Sequence, residues 1–86
     1  MPRISAFYGV EIYMYFRDHS PPHFHAIYGE REAAISIQTG DVIEGQLPKT
    51  ATKLAIKWAR QHLAELMVDW ELARQEQPLN WISPLD

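Results

Sequence analysis

Val10-Glu11-Ile12-Tyr13-Met14-Tyr15-Phe16, followed after one residue by Asp18-His19-Ser20-Pro21-Pro22-His23-Phe24-His25-Ala26-Ile27-Tyr28, is the stretch on which the fold turns. Its first half is dense in β-branched and aromatic side chains, which fit a pleated, half-buried surface, and it reads as a central strand. Ser20-Pro21-Pro22 then makes a stiff turn, because the residue before a proline is pushed out of the α region. His23 to Tyr28 follows as another strand. Strands joined by so short a connection run antiparallel, since a parallel return needs a crossover of a dozen or more residues.

Outward from this pair the pattern repeats. Ile4 to Phe7 precedes it across a turn at Tyr8-Gly9, and Glu32 to Ile37 follows across a turn at Gly29-Glu30. Thr39-Gly40-Asp41 turns again, and Val42-Ile43-Glu44 adds a short edge strand. The expectation is an antiparallel meander of three or four strands over about residues 3–45.

The second half carries helical periodicity. Pro48 suits a first turn, and neither proline nor glycine recurs until Pro78. On a helical wheel Ala51, Leu54, Ala55, Trp58 and His62 share one arc, while Lys49, Lys53, Lys57 and Arg60 share the opposite one. Continuing the wheel past His62 would place Glu65, Asp69 and Glu76 on the apolar face. The later apolar set, Leu63, Leu66, Trp70 and Ala73, has its own spacing on a rotated face. A break near Arg60–Leu63 is therefore expected, giving two packed helices over about residues 48–76. Gln77 to Asp86 reads as an extended apolar tail. The fold class is α+β.

The chain's 86 residues suit a single domain with a small core. Aromatics at 12% supply buried area efficiently in so short a chain. The absence of cysteine excludes disulfides and thiolate metal sites. A net charge of −3 argues against a surface that grips nucleic acid all round. The unmixed stripe of Lys49, Lys53, Lys57 and Arg60 is either a solvated helix face or a contact for phosphate or an acidic partner. Met1-Pro2-Arg3-Ile4-Ser5 leads straight into strand-like sequence, unlike a signal peptide, and no apolar run approaches the roughly 18 residues of a membrane span. A cytoplasmic protein without membrane contact is expected.

Three of the four histidines fall between positions 19 and 25. Strand alternation puts His23 and His25 on one face and Phe24 on the other. Such a pair can be a metal ligand set, an acid/base pair, a pH-sensitive patch, or a partly buried pair bonded to backbone carbonyls. A metal site needs a third ligand, from His19, Asp18 or Glu11, and nitrogen and oxygen donors suit Zn²⁺, Ni²⁺, Mn²⁺ or Fe²⁺. Two nitrogens alone would make a weak, adventitious site, so no resident metal or other cofactor is expected. The metal-free chemistry that such a set serves best is RNA cleavage by 2′-hydroxyl attack. His23 and His25 would be acid and base, with His19 near them, and Arg17, Arg31 or Lys49 would neutralise the phosphate. Tyr28 would stack a base or donate a proton. No phosphate-cradling glycine loop, dinucleotide fingerprint or serine-histidine-aspartate context is present. His62, on the apolar arc, reads as a bonded, half-buried histidine. Trp81, outside any periodicity, is the better candidate for an anchor in a partner or a second copy.

With these residues in view, the sequence resembles a family of small, mostly bacterial proteins, domain of unknown function 4160. The resemblance is carried by Met1-Pro2, Ile4, Tyr13-Met14-Tyr15-Phe16, Asp18-His19, Pro21-Pro22-His23-Phe24-His25-Ala26, Tyr28-Gly29, Leu47-Pro48, Trp58, His62, Glu65-Leu66 and Trp70. It implies a stand-alone domain, often encoded beside a second small protein such as one of domain of unknown function family 2442. That arrangement suggests a toxin–antitoxin pair with this chain as the toxin. The leading expectation is thus a toxin-like protein with a small cognate partner, a metal-independent endoribonuclease acting through His23 and His25. The alternative is a non-enzymatic protein-binding module, and with an apolar tail and exposed aromatics either could also form a homodimer.

Overall fold

A computed structural model describes residues 2–86. Five strands form one antiparallel meander in the order β1-β2-β3-β4-β5: β1 Arg3–Phe7, β2 Val10–Tyr13, β3 His23–Tyr28, β4 Arg31–Ser36 and β5 Val42–Gly45. Two helices follow, α1 Lys49–Gln61 and α2 Leu63–Arg74. The α+β class holds, with one strand more than the three or four expected, because Val42–Gly45 pairs with Ala33–Ile35 across a register shift. Tyr8 and Gly9 both have positive φ, 49° and 83°. That is the geometry of a two-residue turn whose twist matches the strands it joins.

The β2 strand stops at Tyr13, three residues before the end of its aromatic run. The Met14 amide still bonds to the Pro2 carbonyl at 3.2 Å, but Tyr15 and Phe16 leave the sheet. Arg17, at φ 56°, turns the chain and donates its amide to the Ala73 carbonyl at the end of α2. The connection to β3 is thereby tied to the last turn of a helix, which fixes what lies between.

Alternation separates the two sheet faces. Phe24, Ala26, Ile12, Ala33 and Ile35 are buried on the side that receives the helices. Trp58 of α1 meets Phe24 edge-on at 5.8 Å between ring centroids and tilts against Phe7 at 5.5 Å. The wheel of α1 is observed as read, with Ala51, Ala55 and Trp58 inward and Lys49, Lys53, Lys57 and Arg60 exposed.

The expected helix break falls at His62, whose φ of −132° and ψ of 31° interrupt the helix. Its ring leans on Trp58 and its Nδ1 bonds Glu65 at 2.6 Å. The rotated face of α2 buries Leu66, Trp70 and Ala73, whereas Leu63 stays 45% exposed. Asp69 is buried on this face too. One of its oxygens accepts the Asn80 amide at 2.9 Å, so the carboxylate ties down the segment after α2.

Residues 77–86 contain no helix or strand, and this extended segment runs back over the core. The Ile82 amide donates to the Ile4 carbonyl at 2.8 Å, and the Trp58 indole N–H donates to the Ser83 carbonyl at 2.8 Å. Ile82 and Leu85 are buried. Trp81 points the other way and is 56% exposed. Among the described residues no helix is long and apolar enough to cross a membrane.

Candidate functional site: a carboxylate among three histidines

The face of the sheet away from Phe24 carries the histidines. On it the register sets Tyr13, His25, Ala34 and Glu44 in one row, from β2 to β5. Residues directly opposite one another share a face, and diagonal neighbours lie within reach of long side chains. Glu32, two residues before Ala34, therefore meets His25. Its Oε2 lies 3.0 Å from His25 Nδ1 and accepts the Tyr15 hydroxyl at 2.9 Å. Tyr15 also stacks on the His25 ring, with centroids 4.0 Å apart.

Asp18 is the centre of the cluster. Its Oδ2 lies 2.9 Å from His23 Nε2 and 3.0 Å from His25 Nε2. Its Oδ1 accepts the His19 amide at 2.9 Å and lies equally close to His19 Nδ1. Burial alone would raise the Asp18 carboxyl, but the hydrogen bonds from His25 and the His19 amide, with the field of His23, outweigh it and hold it at about 2. Burial, then the hydrogen bond to Glu32, pushes Tyr15 up to about 12. Asp18 is thus an anion and Tyr15 a neutral donor across the ordinary pH range.

The three rings are held differently. His23 is only 2% exposed, packed against Trp70, with Nδ1 2.7 Å from the Pro21 carbonyl. His25 is half-buried and borders a cleft of about 190 Å³ lined also by Glu32, Ala34, Glu44 and Gly45. The small Ala34 side chain leaves that space open beside the imidazole. His19 reaches into solvent, its side chain 80% exposed.

The structure joins His19, His23 and His25 and leaves the other candidates elsewhere. Arg17 points to Glu76, 3.6 Å away at the end of α2. Lys53, Lys57 and Arg60 line a shallow depression on the outer side of α1, with Ile56 and Gln61. That helix packs on the Phe24 face, so the sheet separates the basic stripe, Lys49 included, from the histidines. Glu11 is taken by Arg3 at 2.8 Å. The sequence reading named Asp18 only as one of three possible third ligands and missed Glu32 and Tyr15. The signal for Glu32 was there in the period-2 pattern of β4, but finding it requires the β3–β4 register.

Asp18, His23 and His25 each offer one donor atom, all within 4.8 Å of one another. The cluster can therefore hold a proton, a cation or a polarised substrate group between one carboxylate and two imidazoles. No curated protein and no solved structure matches the chain. A family model does, over residues 9–71, a span that takes in the histidine cluster, the sheet from β2 to β5, all of α1 and most of α2. The chain belongs to the family described as domain of unknown function (DUF4160).

Proposed function

We propose that this chain is a small toxin-like effector that cleaves RNA at the Asp18–His23–His25 cluster and is held in check by a small cognate protein. The observation that carries this reading is a single carboxylate shared by three imidazoles on the sheet face opposite Phe24, beside a cleft. Titratable groups gathered in this way, with the Asp18 carboxyl held low, are commonest at functional sites.

The geometry redistributes the roles expected of the histidines. His23 is enclosed and packed against Trp70, so it holds Asp18 in place. His25 borders the cleft and would take the 2′-hydroxyl proton on Nδ1 as that atom exchanges its contact with exposed Glu32 for substrate, while exposed His19 would protonate the leaving oxygen. The 2′ oxygen would form its bond to phosphorus as the P–O5′ bond breaks, leaving a 2′,3′-cyclic phosphate and a 5′-hydroxyl. Arg17 would leave Glu76 to reach the phosphate, which costs little because both partners are solvent-exposed.

Incubation of the purified chain with cellular RNA is expected to yield fragments with cyclic phosphate ends. His25→Ala should slow their formation by about 100-fold, the lower range for a lost general base. Intact RNA, or wild-type rates in His25→Ala, would overturn the proposal.

One observation favours the second reading, a non-enzymatic protein-binding module. All four residues of β5 are exposed at the sheet edge, with Val42 and Ile43 at 40% and 44%. An uncovered apolar edge invites a partner's strand. The same edge borders the histidine cleft through Glu44 and Gly45, so a strand added there would also serve an inhibitor. Co-purification of the chain with its neighbouring gene product should be lost in Ile43→Lys while the fold persists. A complex without RNA cleavage selects the binding module.

A further inference from the structure

We propose that Asp18, His23 and His25 form a binding site for one first-row divalent transition-metal ion. The inference rests on the geometry of the cluster and not on RNA cleavage.

Distances come first. Ligands about 2.1 Å from a common ion and 90–110° apart are themselves about 3.0–3.4 Å apart. Asp18 Oδ2 lies 2.9 Å from His23 Nε2 and 3.0 Å from His25 Nε2, and the three donor atoms all lie within 4.8 Å of one another, so drawing the two imidazoles toward a common point beside Oδ2 admits the ion.

Donor accounting comes second. His23 Nδ1 faces a backbone carbonyl, which can only accept, so this nitrogen carries the hydrogen. Its Nε2 can meet the Asp18 carboxylate only through a second proton or a bound cation. His25 is placed alike, with Glu32 at Nδ1 and Asp18 at Nε2. A cation between the two Nε2 atoms and Oδ2 takes the place of both protons at once. It also balances the charges of Asp18 and Glu32.

The outer contacts are those of metal-ligating histidines, which donate their far N–H to a carbonyl or carboxylate. Pro21 and Glu32 fill these roles, and Glu32 is itself fixed by Tyr15. Trp70 against His23 and Tyr15 against His25 hold the ring planes. Two imidazoles and one carboxylate, with no thiolate in the chain, suit Zn²⁺, Fe²⁺, Co²⁺ or Ni²⁺ over Ca²⁺ or Mg²⁺. Three protein ligands leave at least one coordination position for water or substrate. With the ion bound, His25 is a ligand and not a proton carrier, which sets this state apart from the metal-free one expected from the sequence.

The test uses the full chain without a histidine tag, stripped with a chelator and titrated calorimetrically with Zn²⁺ and separately with Co²⁺. One equivalent should bind, and Co²⁺ should produce visible d–d bands. His25→Ala and Asp18→Asn should each weaken binding at least 100-fold, and Glu32→Gln 10- to 100-fold. His62→Ala, remote from the cluster, should bind as the parent does. Circular dichroism reports whether each variant folds, and the near-isosteric Asp18→Asn keeps the test usable if His25→Ala does not. No saturable binding, or binding undiminished in a folded Asp18→Asn variant, would overturn the site. Metal binding without RNA cleavage would sink only the proposed reaction, and chelator-resistant cleavage by a chain that takes up no metal would sink only the metal site.

Discussion

Asp18 engages every histidine of the Asp18–His25 segment, and its position follows from two constraints outside its own strand. Arg17 fastens the preceding backbone to the end of α2, and Pro21 presents its carbonyl to His23. Sequence periodicity exposed the pairing of His23 with His25, because strand alternation is local. It gave no view of Asp18 as the hub, since a side chain five residues upstream reaches His23 only through a turn of irregular shape. Glu32 lies in the same blind spot, one strand away. The support of Glu32 can be tested through its neighbour Gly45, at φ 76°. A Cβ there would run into the Glu32 carbonyl, and an L side chain already resists that φ. Gly45→Ala should therefore cost about 2 kcal/mol, the usual toll of backbone incompatibility in the neighbourhood of a clash. Chemical denaturation measures that loss. If β5 simply detaches, the loss will stay below 1 kcal/mol while β5 amides exchange faster.

The strands and the two helices follow from patterns within each element, so they were legible. The break at His62 was legible for a sharper reason: one continuous helix would have turned Glu65, Asp69 and Glu76 into the core, although Asp69 is buried even with the break. What escaped was the return of residues 77–86, because Ile82 and Leu85 are too few and too irregularly spaced to make a pattern. Their energetic weight is nonetheless high. Ile82→Ala removes a fully buried side chain from the junction of β1 and the helices and should cost about 2–5 kcal/mol. Trp81→Ala, next to it but 56% exposed, should change stability by about 0.5 kcal/mol or less. Thermal or urea unfolding of the two variants compares them directly. Equal losses would mean that the tail packs through its indole and that Trp81 is not free for a partner. The same contrast makes Trp81→Ala a cleaner probe of partner binding than tail deletion, which would strip the core as well.

At the scale of the whole molecule the helices and the returning tail cover one side of the sheet, Tyr15 and Asp18 close over the histidines on the other, and the β5 edge stays exposed. Such a small core leaves little margin for a buried charge, and Asp69 is one. Its Oδ1 accepts the Asn80 amide, whereas its Oδ2 is buried without a partner. Burial raises its carboxyl above the ordinary range, and the nearby Glu65 adds to this, against the lowering effect of Asn80. The folded chain therefore holds the Asp69 proton more tightly than the unfolded chain does. Between the unfolded value near 3.9 and the higher folded value the native state binds more protons, so this residue's effect on stability worsens as pH rises and levels off above the folded value. Asp69→Asn keeps the acceptor for Asn80 and removes the charge. Its unfolding free energy should exceed that of the parent at pH 7, and the difference should shrink as the pH is lowered toward 4. A gain of ~1 kcal/mol at pH 7 would raise the melting temperature by about 4–8 °C in a domain of this size. A variant less stable than the parent at pH 7 would mean that the ionised carboxylate is needed to hold the tail, and that its unpaired oxygen is satisfied by solvent.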